Sequence, residues 1–207
     1  MMAGTGGARM GERVGRYSRE TRETRVQVEW ALDGSGRADV RTGVGYLDHM
    51  LDALARHGLF DLVVRAEGDL HVDEHHTVED VAIAMGRALG DALGDGRGLR
   101  RMGDAIVPLD EALALVAVDL SGRGLATLDI PLRGPRLGQL PTELVPHFFQ
   151  SLAMEARMTL HVQVLRGEND HHKVEATFKA LARALDWATS LDPRVADAVP
   201  STKGALR

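Results

Sequence analysis

Alternation opens the patterned part of the chain. Val26, Val28 and Trp30 are separated by Gln27 and Glu29 and followed by Leu32, the period of a strand with one buried face. Asp33-Gly34-Ser35-Gly36 then supplies turn chemistry. The period changes at Leu47, Met50, Leu51 and Leu54, which follow helical spacing, and Gly58 is placed to terminate that helix. Residues 59–66 return to a strand pattern. Residues 1–18, rich in Gly and Arg and without apolar periodicity, read as a mobile N-terminal tail.

The same succession runs twice. His75-His76-x-x-Glu79 opens one predicted helix, and His171-His172-x-x-Glu175 opens another 96 residues later. Val78, Ala82, Met85 and Leu89 follow the first motif; Val174, Phe178, Leu181 and Leu185 follow the second at identical offsets. Strand 59–66 finds a counterpart in 158–166, the helix bearing His49 in one bearing His147, and Ser35-Gly36-Arg37 in Ser121-Gly122-Arg123. The pattern predicts a mixed α/β (α+β) chain of two tandem β-β-α-β-α halves, 19–100 and 101–192, each a two-layer α/β sandwich. The Gly-rich stretch 90–103 is the expected joint, and 193–207 a C-terminal segment.

Composition narrows the chemistry. With 207 residues, 44% hydrophobic and 27% charged, the chain can bury a substantial core. The net charge of −5 argues against a nucleic-acid partner, since no basic excess is available to neutralise phosphates. The absence of cysteine excludes disulfides, thiolate metal sites and cysteine nucleophiles. No apolar run reaches spanning length and no hydrophobic signal core precedes the first strand, so no membrane partner is expected and a cytoplasmic location follows as the default. Seven of nine histidines fall in short acid-rich motifs.

Residues i and i+4 share a helix face, so His75 with Glu79, and His171 with Glu175, can each present an imidazole and a carboxylate to one ion. The adjacent His76 and His172 point about 100° away and can serve a different ion. With His49 and His147 the set is six imidazoles and two carboxylates, or three nitrogens and one oxygen for each of two ions. Such donors suit Mn, Fe, Co or Zn rather than Ca or Mg. A lone His-x-x-x-Glu is usually a surface pair; duplication in helical register is what points to metal.

Several longer motifs resemble the imidazoleglycerol-phosphate dehydratase family. They are Gly45-Tyr46-Leu47-Asp48-His49-Met50-Leu51, Asp73-Glu74-His75-His76-Thr77-Val78-Glu79-Asp80, Pro146-His147-Phe148-Phe149-Gln150-Ser151-Leu152, Gly167-Glu168-Asn169-Asp170-His171-His172-Lys173-Val174-Glu175-Ala176 and Pro200-Ser201-Thr202-Lys203-Gly204. The resemblance covers roughly residues 16–206. It implies two Mn²⁺ per active site, one held by His49, His76, His171 and Glu175 and the other by His75, Glu79, His147 and His172. It also implies a homo-oligomer, a 24-mer with active sites between subunits.

The reaction implied is loss of water from D-erythro-imidazoleglycerol phosphate, giving imidazoleacetol phosphate in L-histidine biosynthesis. No carbonyl acidifies the C–H, so an imidazolate bridging two Lewis-acidic ions takes that part. Glu23 is the acid–base residue implied by the resemblance, with Glu20 close by and of similar chemistry. Arg101, Arg123 and Lys203, with Ser201 and Thr202, are implied at the phosphate. The substrate-contacting set extends to His49, His75, Glu79 and His171, to Lys179 one turn after Glu175, and to His57, whose other role would be to close its helix. Asp110 and Glu111 read as a structural acidic pair, and Asp170 as a helix cap. A binuclear phosphoester hydrolase is the alternative and would call for aspartate-rich bridging ligands; a metal-storage assembly would leave the cation set unused.

Overall fold

The computed structural model describes residues 13–195, 198–204 and 206. Strands β1 (Val14–Glu20) and β2 (Thr24–Ala31) form an antiparallel hairpin, followed by β3 (Ala38–Arg41), α1 (Gly45–Gly58), β4 (Asp61–Gly68) and α2 (His75–Leu93). The second half repeats this order: β5 (Met102–Leu109), β6 (Ala112–Asp119), β7 (Leu125–Asp129), a small hairpin of β8 (Arg136–Leu137) and β9 (Leu140–Pro141), α3 (Leu144–Glu155), β10 (Thr159–Arg166) and α4 (Asp170–Thr189). The sheets are ordered β1-β2-β4-β3 and β5-β6-β10-β7. Each half thus carries one short strand beyond the ββαβα pattern, β3 or β7, parallel to its neighbour at the sheet edge.

The two sheets lie outermost. Helix α2 covers β1 and β2, α4 covers β5 and β6, and the helix layers meet as α1 on α4 and α2 on α3. Alternation in β2 puts Val26, Val28 and Trp30 inward, and in β6 Ala112, Ala114, Val116 and Val118. Phe148, Phe149 and Phe178 pack where α3 and α4 share the interior, with ring centroids 4.9–5.7 Å apart.

Sheet and helix approach each other through glycine at the same place in both halves. A Cβ on Gly15 would stand 1.8 Å from the Ala88 carbonyl oxygen, and one on Gly103 would stand 2.2 Å from that of Ala184. Gly15 pairs with Trp30 and Gly103 with Val118, so the hairpins repeat with a spacing of 88 residues. Helices α2 and α4 repeat at 96, as their motifs do. The difference arises mainly in residues 130–143, where β8 and β9 form an insertion with no counterpart in the first half.

Two local expectations are corrected. The mobile tail cannot extend through residue 18, because Val14–Glu20 is a strand paired along its length with β2; residues 1–12 lie outside the described residues. Nor does Gly58 supply the left-handed residue that ends α1. Leu59 does, at φ 56°, and Arg157 does the same after α3 at φ 52°. Gly58 is needed for space: a Cβ there would lie 2.3 Å from the Phe60 ring. No helix among the described residues is long and apolar enough to cross a membrane.

Candidate metal centres

The packing of α1 on α4 and α2 on α3 decides which motif residues meet. His49 on α1 joins His171 and Glu175 on α4; Glu175 Oε2 lies 3.4 Å from His49 Nε2 and 3.1 Å from His171 Nε2. His75 and Glu79 on α2 are joined by His147 on α3, whose Nε2 is 3.5 Å from Glu79 Oε1 and whose ring centroid is 4.8 Å from that of His75. Exchanging the halves turns one triplet into the other. Each triplet therefore draws on both halves, as the crossed helix pairing requires.

The donors fit a transition-metal ion. His147 Nε2 is buried and has no hydrogen-bond partner among the described residues, although it faces His75 and Glu79. A buried ring nitrogen left unpaired costs free energy that a metal bond would recover. Burial pushes the Glu175 carboxyl up, but Lys179, with Nζ 2.7 Å from Oε1, and His171 outweigh it and hold the group below the ordinary carboxylate range. Tyr46 closes the first triplet edge-on to His171; burial and the nearby Glu175 charge raise its phenol pKa.

His76 and His172 stand apart from both triplets. Each ring lies nearly perpendicular to that of its neighbour, at 80° for His75–His76 and 89° for His171–His172. His76 Nδ1 is 3.0 Å from Asp69 Oδ2, and His172 Nδ1 is 2.7 Å from Glu111 Oε2. Hydrogen bonding to these carboxylates raises the pKa of both imidazoles. Glu111 also accepts the backbone N–H groups of Glu168 and Asn169; the Asn169 amide, first, and His172 hold its carboxyl down to about 2. The expected structural role of Glu111 thus includes orienting an imidazole, whereas Asp69 itself belongs to none of the motifs read from the sequence.

Glu23 lies in the β1–β2 turn. Thr21 Oγ1 accepts its backbone N–H, and buried Asp80 ties that turn to α2 through Thr24 and Arg19. Its exposed carboxylate acts on His76 by charge and has no hydrogen bond or ion pair among the described residues. Glu20, in contrast, is paired with Arg25 at 2.8 Å.

The cation set gathers at the other end of α4. Arg101, at φ 74°, donates its N–H to the Ala188 carbonyl; its guanidinium forks onto Asp119 at 2.7 and 3.0 Å and reaches the Pro200 carbonyl at 2.8 Å. Ser201, Thr202 and Lys203 follow in a turn where Ser201 Oγ accepts the Lys203 N–H, and Arg123 lies in the β6–β7 loop. At 1.5 Å per residue, Ala188 is about 25 Å along α4 from His171. Lys179 lies beside the first triplet through Glu175. His57 is exposed on the last turn of α1, where burial of its ring and the Lys179 charge lower its pKa.

Asp170 does not cap α4, contrary to expectation. Asn169 is the cap, accepting from the His171 and His172 N–H groups, while Asp170 accepts the Arg133 and Gly134 amides and pairs with buried Lys173 at 2.8 Å. The insertion is thereby fastened to the N-terminus of α4. Arg136 reaches Glu74 before α2, and a cleft of about 390 Å³ opens there between the insertion and His75.

Residues 42–185 match the family model described as imidazoleglycerol-phosphate dehydratase. The chain is 59% identical over 188 residues to the imidazoleglycerol-phosphate dehydratase of Chloroflexus aggregans, covering 91% of this chain and 92% of that one. With the Streptomyces avermitilis protein of that name identity is 56%, covering 94% and 99%. Among solved structures, the dehydratase from Staphylococcus aureus superposes with a TM-score of 0.78 at 35% identity, over 86% of this chain and 99% of that chain. The one from Pyrococcus furiosus gives 0.79 at 38%, over 91% and 99%.

Proposed function

Since the chain belongs to the imidazoleglycerol-phosphate dehydratase family, we propose that its two His/His/Glu triplets are the cores of a two-manganese dehydration site. One ion takes His49, His171 and Glu175, with His76 as fourth protein ligand. The other takes His75, Glu79 and His147, with His172 as fourth. The observation that carries this reading is the half-to-half exchange of the triplets around unpaired His147 Nε2. Imidazole and carboxylate donors suit Mn²⁺ and leave positions open for substrate.

A single chain holds only part of this site. His76 and His172 face away from the triplets, and the cation set is about 25 Å along α4 from His171. Both gaps close if neighbouring copies supply the missing parts, which supports active sites between subunits of a symmetric homo-oligomer; its size, a 24-mer, rests on the family resemblance alone.

When bound, the two ions would supply Lewis acidity toward the imidazole ring of D-erythro-imidazoleglycerol phosphate, acidifying it so that the ring takes the part a carbonyl plays in other dehydrations. The chain's residues do the rest. Arg101, Arg123 and Lys203 fix the phosphate, with hydrogen bonds from Ser201 and Thr202. Arg101 comes oriented by Asp119, so little freedom remains to be lost on binding. Lys179 and His57 border the first triplet on the substrate side. Glu23, uncommitted and beside His76, moves protons at the carbon chain. The C2 proton and the C3 hydroxyl leave, and the resulting enol becomes the ketone of imidazoleacetol phosphate.

Protein stripped with chelator should bind two Mn²⁺ per chain and form imidazoleacetol phosphate only once reloaded. Two ions bound without dehydration would refute the reading and favour storage or phosphoester hydrolysis. Glu23→Gln should lower kcat by about 10²–10⁴-fold, the range of general acid–base catalysis, while leaving Mn²⁺ stoichiometry intact. Retention of full kcat would remove Glu23 from the chemistry.

A further inference from the structure

The repeat contains an exchange of carboxylates between its halves. With the hairpin spacing of 88, Glu111 in the β5–β6 turn is the positional counterpart of Glu23 in the β1–β2 turn. Asp69, one residue past β4, corresponds to Gly167, one residue past β10. Gly167 sits at φ 143°, and a Cβ there would meet Ala112 and Lys173 at 3.0 Å. In the second half, then, the turn glutamate binds the outward imidazole and the post-strand position is glycine. In the first half the post-strand position is aspartate, which binds the outward imidazole, and the turn glutamate is uncommitted.

We propose that Asp69 and Glu111 are positioning residues, each accepting the Nδ1–H of an outward imidazole so that its Nε2 lone pair faces the ion, and that Asp69 does this in place of Glu23, which is thereby left for proton transfer. The proposal rests on His76 and His172 being metal ligands. A ligating imidazole must present a bare nitrogen, and a carboxylate on the other nitrogen fixes both tautomer and ring orientation. Glu111 is held by two backbone amides on Oε1, leaving Oε2 for His172. Asp69 Oδ1 is buried and unpartnered, so that side chain's hydrogen bonding is directed to His76 through Oδ2. Asp110, exposed, lies 3.6 Å from His172 Nε2, beyond hydrogen-bond reach.

The test is Mn²⁺ affinity of metal-stripped protein, measured by electron paramagnetic resonance titration, for Asp69→Ala and Glu111→Gln. His76→Ala and His172→Ala serve as references. Gln at 111 keeps an oxygen for the Glu168 and Asn169 amides and turns its NH₂ on His172, favouring the wrong tautomer. Each carboxylate variant should bind Mn²⁺ about 10–100-fold more weakly, with the melting temperature of the metal-free protein unchanged. Unaltered affinity in both, with losses in the two histidine variants, overturns the positioning role and leaves the ligand assignment standing. Unaltered affinity in the histidine variants overturns both.

A double-mutant comparison addresses the exchange itself. Glu23→Gln in the natural chain should leave Mn²⁺ affinity unchanged. In the Asp69→Ala background, where Glu23 can fall back onto His76, the same change should weaken binding further. Equal effects in the two backgrounds would overturn the substitution of Asp69 for Glu23.

Discussion

Glu79→Gln and Glu175→Gln should each lower kcat by about 10³-fold or more at saturating Mn²⁺, because one Lewis-acidic ion contributes several kcal/mol to such a reaction and each 1.36 kcal/mol is tenfold. Each glutamate is the only carboxylate of its triplet. Glutamine preserves the shape and removes the charge that offsets the ion. The two variants should also behave alike, since exchange of the halves maps one triplet onto the other. Glu175→Gln carries the extra loss of the Lys179 ion pair. Metal analysis beside steady-state kinetics is the check: near-natural kcat with one ion per chain would show that a single centre suffices.

Gly103→Ala should destabilise the metal-free protein by about 3 kcal/mol or more, at or above the usual range for forcing atoms into a packed interior. The added methyl would stand 2.2 Å from the Ala184 carbonyl oxygen and 2.9 Å from the Ala188 amide, both backbone atoms that cannot rotate aside. For a chain of this length that corresponds to a fall in Tm of roughly 6 °C or more. Gly15→Ala should behave similarly against Ala88 and Ala92. Gly90→Ala is the control: it lies on α2 with nothing within 4 Å of the new methyl, so it should be neutral or stabilising by about 0.5–1 kcal/mol. Metal-free protein is the right sample, because bound ions and assembly add stability by mass action. An unchanged midpoint for Gly103→Ala would mean that β5 and α4 separate freely.

Much of this molecule is legible in its sequence because burial enforces periodicity. The β2 alternation and the helical spacing behind each His-His motif mark faces that must be apolar, and the duplicated motif places His75 with Glu79 and His171 with Glu175 on shared faces. The partners His147 and His49 come from the crossed packing of α2 on α3 and α1 on α4, which local pattern does not encode. Strand β1 is hidden for another reason: its residues alternate weakly, and Gly15, which permits its contact with α2, resembles the glycines of the preceding tail. Asp170 was misread because acidic residues and asparagine cap helices with similar chemistry; only the tertiary position of residues 133–134 separates them. Asp69 escaped because its counterpart is glycine, so it is absent from any motif that both halves share.

The insertion at residues 130–143 bears on how the site distinguishes one end of its substrate from the other. Duplication alone yields two equivalent halves, and equivalence is ambiguous toward an imidazole, whose two nitrogens are themselves nearly interchangeable. The substrate carries its phosphorylated tail on one side of the ring only. A connection fastened to α4 by Asp170 and to the start of α2 by Arg136 would help to remove that ambiguity, beside the unlike carboxylates at His76 and His172. It gives the two halves unlike borders, and with them a direction along which an unsymmetrical molecule can be seated.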